Sequence, residues 1–312
     1  MIRIENLTKR YGNTEALRGL TFEVPRGQVV GFLGPNGAGK STTMKILAGY
    51  LSATSGTASV GGIDVSADPL ASRRRIGYLP ENNPLYEDMM VREFLEFAAD
   101  MRELPRTARR GRLAEVVERC GLRDVLGKDV GQLSKGFRQR VGLAQAIVHQ
   151  PDILILDEPT SGLDPNQIVE IRNLIRDLGR EKTVILSTHI LSEVQSTCSR
   201  VLIINQGRLV ADGAPEVLTQ KEGAMVSLVV APKNGTPLSA STVQAALERV
   251  PGVSAVTPVE GEGAGTLGFR LRITDGDPRR ALFELAVQEH LVLLEMRRDQ
   301  ISLEETFRKL TA

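Results

Sequence analysis

The feature that most constrains this chain is a glycine-rich stretch at residues 31–43, which reads GFLGPNGAGKSTT. Its residues 34–41 complete the pattern G-x-x-x-x-G-K-S. In this phosphate loop, backbone N–H groups surround phosphate oxygens, the lysine reaches the terminal phosphates and the serine hydroxyl binds Mg²⁺. The candidate phosphate ligands are Gly34, Asn36, Gly37, Gly39, Lys40, Ser41 and Thr42.

The flanking sequence supplies the context that a phosphate loop requires. Residues 28–33 (QVVGFL) are apolar and β-branched and predict a strand, and residues 41–48 (STTMKILA) predict a helix. Strand, glycine loop and helix in this order form a nucleotide-binding unit of an α/β fold. The helix N-terminus adds unpaired N–H groups and the positive end of its dipole. We therefore expect a nucleoside triphosphate and Mg²⁺ as ligands.

Composition limits the function classes. The 312 residues fit about two domains. With 39 basic and 38 acidic residues and no Trp, the chain does not suggest nucleic-acid binding. The two cysteines lack metal-ligand spacing, and the first residues are not typical of a signal peptide, so we expect a reducing, cytoplasmic compartment. Because no apolar run reaches the roughly 18 residues of a membrane span, a membrane role requires a partner chain.

A second acidic element follows at residues 151–158 (PDILILDE), an apolar strand that ends in two carboxylates. A buried parallel strand of this kind delivers its last residues to a site at the carboxyl edge of the sheet. We assign Asp157, with Ser41, to Mg²⁺, and Glu158 to the general base that orients and deprotonates the attacking water. Adjacent carboxylates at a strand end can also be simple surface charge.

The remaining pattern divides the chain into further parts. Residues 2–11 and 16–24 predict antiparallel strands before the core, and residues of about 82–150 predict a helical subdomain. Its arginines at positions 106, 109, 110 and 112 are expected on a solvated helix face, with anionic lipid as the alternative. From residue 221 to 312, a β-α-β-β-α-β order predicts a small ferredoxin-like α+β domain without a catalytic motif.

Four further motifs carry a family resemblance. Residues 133–137 (LSKGF) resemble the LSGGQ signature of ATP-binding-cassette (ABC) ATPases, and they precede ILILDEPTSGLD at the family's spacing. Residues 161–164 (SGLD) resemble the family's D-loop, and His189 matches its switch histidine. Tyr11 matches the aromatic residue that stacks on adenine. The resemblance covers residues 1 to about 220.

The resemblance implies a P-loop NTPase core with antiparallel β and helical subdomains. It also implies a head-to-tail homodimer with two ATP molecules, each held between the phosphate loop of one copy and the signature motif of the other. Ser134 and Gly136 would contact the γ-phosphate, and His189 would sense it. The implied partner is an integral membrane permease, which would hold the chain on the inner face of the cell membrane.

Two departures from the family pattern affect charge. The third and fifth signature positions, Gly and Gln in the family, are Lys135 and Phe137. The glutamine expected after residues 78–80 is Glu81, which can still ligate Mg²⁺ but adds a negative charge near the γ-phosphate. ATP sandwiching is expected to survive both changes because Ser134 and Gly136 remain.

Within the family, the sequence looks most like ATPase subunits of bacterial exporters with separate membrane subunits, and in particular the gliding-motility type. The alternative is a soluble cassette protein that acts on a ribosome, nucleic acid or an assembly scaffold. A single cassette without a heptad run favours the transporter.

We expect the permease to dock on residues 81–90 through Leu85 and Tyr86. The alternative is that both side chains pack on Phe94 or Phe97.

Overall fold

The computed structural model describes residues 1–220, 224–233, 239–261, 263, 265–274, 276–299 and 303–311. The chain forms two compact units, Met1–Pro215 with Leu310–Ala312 and Glu216–Lys309. Residues 221–223, at the predicted domain boundary, lie outside the described ranges. Within those ranges, no helix combines the length and apolar character that crossing a membrane requires.

The first unit contains ten strands and seven complete helices among its described residues. The strands are β1 (Ile2–Tyr11), β2 (Thr14–Val24), β3 (Val29–Leu33), β4 (Ser55–Val60), β5 (Ile63–Asp64), β6 (Ile76–Leu79), β7 (Ile153–Asp157), β8 (Thr183–Thr188), β9 (Arg200–Asn205) and β10 (Arg208–Gly213). The helices are α1 (Lys40–Leu47), α2 (Pro69–Arg74), α3 (Val91–Met101), α4 (Arg106–Arg119), α5 (Lys135–Ile147), α6 (Pro165–Gly179) and α7 (Leu191–Thr197). A further helix, α8 (Pro215–Gln220), spans the division between the units.

The central sheet has six strands in the order β10-β9-β3-β8-β7-β6, all parallel except the edge strand β10. Every residue of β7 and β8 is buried, as expected of parallel strands that are covered on both faces. The carboxyl ends of β3, β6, β7 and β8 lie at one edge of this sheet. This edge therefore receives the phosphate loop, Glu81, Asp157 and His189.

A second, antiparallel sheet of order β2-β1-β4-β5 packs in the same unit. Its buried residues join those of the central sheet and α1 in one apolar core, where the rings of Phe22 and Phe32 lie 5.5 Å apart. Each fully buried side chain of this size stabilises the fold by about 1.5–3 kcal/mol. The predicted combination of a P-loop NTPase core with an antiparallel subdomain is confirmed.

The helical part contains α3, α4, α5 and two short 3₁₀ turns, so the predicted helical content is also confirmed. Helix α4 begins at Arg106, although the apolar periodicity only begins at Leu113, because its first half is basic and solvated. The expectation for Arg112 is wrong. Its guanidinium is buried and donates to the carbonyls of Ile147 (2.5 Å) and Val148 (3.0 Å), so it caps the C-terminus of α5.

The second unit, taken by itself, is an antiparallel sheet of order β12-β13-β11-β14. Its strands are β11 (Ala224–Pro232), β12 (Val253–Val259), β13 (Leu267–Ile273) and β14 (Leu291–Asp299), and the remaining helices are α9 (Ala240–Leu247), α10 (Arg279–Gln288) and α11 (Leu303–Thr311). One helix separates β11 from β12 and another separates β13 from β14. This is the predicted ferredoxin-like topology, with Phe269 at the centre of its core.

Candidate active site

The phosphate loop connects β3 to α1, and its shape depends on glycine. Gly39, which precedes α1, has φ +106°, a conformation that side chains other than glycine's rarely adopt. A Cβ atom at Gly34 would lie 2.5 Å from the carbonyl oxygen of Ile204. The loop therefore runs against β9 closely enough to exclude any side chain at Gly34. Its N–H groups then form the rim of the site.

Lys40 opens α1 and is almost fully buried. Its ammonium group donates to the carbonyl of Gly34 at 2.7 Å and lies 3.5 Å from a carboxylate oxygen of Glu158. A buried ammonium needs such partners because desolvation of an unpaired charge is costly. The cation is thus held inside the loop, where it can exchange a carbonyl for a phosphate oxygen.

Ser41 and Asp157 meet as predicted. The Ser41 hydroxyl donates to Asp157 Oδ1 at 3.1 Å, and the Ser187 hydroxyl on β8 donates to the same oxygen at 2.5 Å. Hydroxyl and carboxylate oxygens are the ligands that Mg²⁺ prefers, and Mg²⁺ commonly takes one or two of them with phosphate oxygens and water. No cluster of three or more His, Cys, Asp or Glu ligands occurs in the described ranges. The donor set therefore fits Mg²⁺ bound together with a nucleotide.

Glu158 lies one residue beyond β7 in a left-handed conformation with φ +49°. Its N–H donates to the backbone carbonyl and the hydroxyl of Ser187, both at 3.1 Å. This uncommon conformation, which costs of order 1–3 kcal/mol in a residue other than glycine, turns the carboxylate out of the sheet and toward the phosphate loop. Glu158 remains 7% exposed, so it is shielded but reachable from the cleft.

His189 follows β8, and its Nδ1 lies 2.9 Å from Glu158 Oε2. The ring is half-exposed. Its loop is fastened by buried Glu193, which accepts hydrogen bonds from Thr160 (2.5 Å) and Thr188 (2.7 Å). This network was not predicted from the sequence because it joins three separate segments, and no local pattern marks it.

These residues surround one cleft of about 600 Å³. The predicted residues that line it are Asn36, Gly37, Gly39, Lys40, Ser41, Thr42, Glu81, Glu158 and His189. Tyr11 is not part of this lining. It lies at the end of β1, half-exposed, with the Lys9 ammonium 5.2 Å from its ring centroid. Its role in adenine stacking stays a prediction.

The signature residues open into a different pocket. Ser134 caps α5 by accepting a hydrogen bond from the N–H of Phe137 at 3.3 Å. A Cβ at Gly136 would lie 2.7 Å from the Gln167 side chain, so only glycine fits there. Both residues line a pocket of about 390 Å³ formed with the start of α6. This pocket shares no lining residue with the phosphate-loop cleft.

The segment between β6 and α3 connects the two parts of the first unit. The Asn83 amide donates to the carbonyl of Arg138 on α5 at 2.9 Å and lies so close to Gly142 that no side chain fits at that position. Two residues earlier, Glu81 lines the cleft. The segment thus links the nucleotide site to the signature helix. The contact of Asn83 with α5 was not predicted from the sequence.

His149 precedes β7 and is a packing residue. Its Nε2 lies 3.0 Å from the carbonyl oxygen of Ile76. Burial, with a smaller contribution from the Arg102 charge, lowers the pKa of His149 to about 4. The imidazole is therefore neutral at pH 7 and donates from Nε2. It takes no part in the cleft.

Comparison with known proteins agrees with this geometry. A family model described as "ABC transporter" matches residues 17–161. The linearmycin resistance ATP-binding protein LnrL of Bacillus subtilis is 31% identical, across all of this chain and 98% of its own length. The chain belongs to the ATP-binding subunits of ABC transporters.

Two further relatives extend this assignment. The Nod factor export ATP-binding protein I of Burkholderia orbicola is 39% identical over 71% of this chain and 73% of its own. A solved dimeric cassette, MJ0796, in a post-hydrolysis state with ADP and phosphate, is 26% identical with a TM-score of 0.63, covering 69% of this chain and 98% of its own. The predictions of family, fold and ATP hydrolysis are confirmed. The gliding-motility likeness and the individual residue roles stay predictions.

Proposed function

We propose that this ABC ATPase works as a head-to-tail dimer in which each ATP is shared by two copies. The observation that carries the proposal is the separation of the phosphate-loop cleft from the signature pocket within one copy. In the described part of the chain, the N–H groups of Lys135 and Gly136 in the first turn of α5 have no acceptor. A helix N-terminus of this kind binds phosphate, and the γ-phosphate held by a second copy supplies it.

In such a dimer we assign the residue roles as follows. Lys40 and the loop N–H groups hold the β- and γ-phosphates, and Ser134 and Gly136 of the other copy cover the γ-phosphate. Glu158 accepts the proton of the attacking water, whose oxygen forms a bond to γ-phosphorus while the bond to the β-phosphate oxygen breaks. His189 positions Glu158 and contacts the phosphate. Ser41, Asp157 and Glu81 would hold Mg²⁺, which would neutralise negative charge on the phosphate oxygens.

Mixing two inactive copies tests the shared site. A Lys40→Ala chain lacks the phosphate ligand, and a Ser134→Arg chain blocks the signature pocket. In a mixed dimer, one site combines two intact halves. We expect each variant alone to be inactive and a 1:1 mixture to regain about a quarter of the wild-type sites by random pairing. Steady-state phosphate release measures the recovery.

The control mixes either variant with the Lys40→Ala, Ser134→Arg double variant, because no pairing of those chains makes an intact site. Activity in this control, or no recovery in the first mixture when light scattering shows mixed dimers, contradicts the shared-site arrangement.

We further propose that the chain powers export through a separate membrane permease on the cytoplasmic side of the cell membrane. Support comes from the names of two relatives, one of Nod factor export and one of linearmycin resistance. The structure contributes a groove of about 1170 Å³ at residues 84–86 and the adjoining helices. The groove lies next to the segment in which Asn83 contacts α5. A conformational change caused by loss of the γ-phosphate can therefore be transmitted to a docked partner.

Tyr86 is the anchor that this groove presents. Its ring contacts those of Phe94 (6.3 Å) and Phe97 (5.4 Å), yet the residue is 59% exposed. Tyr86 therefore packs on Phe94 and Phe97, as one prediction had it, and is also exposed enough to contact a partner, as the other requires. Aromatic residues that are supported in this way by neighbours contribute strongly to interfaces.

Tyr86→Glu should release the chain from membranes of cells that express it. Truncation of a strong interface anchor costs about 2 kcal/mol or more, so membrane retention should fall roughly thirtyfold. Sedimentation of membranes followed by immunoblotting measures the bound fraction. ATP hydrolysis by the isolated variant, expected within about twofold of wild type because Tyr86 lies outside the nucleotide cleft, reports folding.

Phe283→Ala is the matched control, since Phe283 is a 52% exposed aromatic residue in the second unit. If the membrane-bound fraction of Tyr86→Glu equals that of Phe283→Ala, the groove is not the docking site.

A further inference from the structure

The phosphate-loop cleft is negatively charged within one copy. Its described lining contains Lys40, Glu81 and Glu158, and Asp157 accepts a hydrogen bond from Ser41, which also lines it. Lys40 is already 3.5 Å from Glu158. MgATP at neutral pH brings further negative charge into this space. Even with Mg²⁺ bound, one lysine and one divalent cation carry less positive charge than three carboxylates and ATP carry negative charge.

Glu81 is the carboxylate without a counter-ion. It is exposed, and in the described residues it forms no ion pair and no side-chain hydrogen bond. Lys40 cannot serve it, because that ammonium is held by Gly34 and Glu158. A carboxylate at the mouth of a phosphate site repels the γ-phosphate, and a Mg²⁺ ion that it shares with ATP offsets this repulsion only in part.

Lys135 is the complementary case, a cation without a carboxylate. It is the first residue of α5, beside Ser134 and Gly136, and it is exposed with no ion pair in the described ranges. A positive charge at a helix N-terminus is unfavourable for the isolated helix. The position of Lys135 therefore does not stabilise the fold of a single copy.

The side chain of Lys135 is nonetheless placed. Its ammonium extends over Gly162 and would lie 2.1 Å from a Cβ atom built at that residue. Gly162 belongs to the loop whose Ser161 lines the phosphate-loop cleft. The end of the Lys135 side chain thus lies beside the D-loop (residues 161–164).

We propose that Lys135 of one copy pairs electrostatically with Glu81 of the other at each shared ATP site. This proposal rests on the head-to-tail dimer proposed above. The two departures from the family pattern are opposite in charge, and the dimer places the signature motif of one copy over the cleft that contains Glu81 of the other. The Lys135 charge neutralises Glu81 only when two copies come together on ATP. The ion pair therefore strengthens ATP-driven dimerisation, and it favours a second copy of this chain as the partner.

A charge-deletion cycle tests the pairing in a Glu158→Gln background that slows hydrolysis. Lys135→Met removes the charge but keeps the stem over Gly162, and Glu81→Gln removes the carboxylate. Light scattering measures the MgATP concentration that gives half-maximal dimer. We expect Lys135→Met to raise this MgATP concentration roughly tenfold when Glu81 is present, and less than about threefold when position 81 is Gln. High salt should reduce the first effect.

Mixing shows whether the pair crosses the interface. Chains carrying Glu81→Gln and chains carrying Lys135→Met, with different fluorescent labels, form a mixed dimer with one site that retains both charges and one that lacks both. The mixed dimer should form at lower MgATP than the Lys135→Met homodimer, by about fivefold or more.

The outcomes separate the two proposals. If the Glu158→Gln chain with Glu81 and Lys135 intact fails to dimerise on MgATP, the shared-site dimer itself is wrong. If it dimerises but the two changes have additive effects, the dimer stands and the charge pair is rejected. Non-additivity without a gain from mixing places the coupling within one copy and also rejects the pair across the interface.

Discussion

Replacing Glu158 with glutamine should lower the turnover of ATP hydrolysis by two to four orders of magnitude and leave ATP binding intact. A positioned general base contributes about 10² to 10⁴ to a rate. The amide has nearly the same shape as the carboxylate, so the left-handed turn and the N–H bonds to Ser187 persist. Only the capacity to accept a proton from water is lost.

Single-turnover and steady-state phosphate release measure this effect, and a fluorescent ATP analogue measures binding. Because hydrolysis is slowed while the γ-phosphate remains, the variant should accumulate as a dimer with MgATP. Glu103→Gln is the matched control, since Glu103 is an exposed residue whose carboxylate pairs only with Arg74 in the described residues. Turnover of Glu158→Gln close to that of Glu103→Gln would exclude Glu158 as the base.

The sequence predicted the catalytic residues because each follows a strand of a parallel sheet. Lys40 follows β3 through the phosphate loop, Asp157 ends β7, and His189 comes directly after β8. Parallel strands bring their carboxyl ends to one edge. Local patterns therefore determined a tertiary site. Glu81, which follows β6 at the same edge, was identified from the family resemblance.

Other parts of the site could not be predicted because they depend on contacts between distant segments. Arg112 has the sequence context of a solvated helix, but its guanidinium caps α5. Glu193 lies on a seven-residue helix without a strong apolar period, and its carboxylate joins Thr160 to Thr188. Such hydrogen bonds form only where helices and strands pack together, so residue spacing does not predict them.

Replacing His189 with alanine should reduce hydrolysis by about 10² or more, since loss of one oriented donor to a developing charge typically costs 10²–10³. The ring Nδ1 is engaged by Glu158 at 2.9 Å, and the other ring nitrogen is the one left to contact the γ-phosphate. The variant thus loses both the orientation of the base and a phosphate contact. Glu193 and its two threonines should keep the loop in place, so ATP affinity should change less than turnover.

Two histidine controls separate chemistry from folding. His290→Ala changes an exposed residue of the second unit and should retain wild-type turnover. His149→Ala removes the hydrogen bond to Ile76 and should lower the melting temperature, while the folded fraction hydrolyses ATP normally, because His149 lies outside the cleft. Turnover per folded molecule, with the folded fraction from circular dichroism, is the quantity to compare. A His189→Ala turnover above about a tenth of wild type, or an equal loss in His290→Ala, would contradict the assignment of His189 to the γ-phosphate.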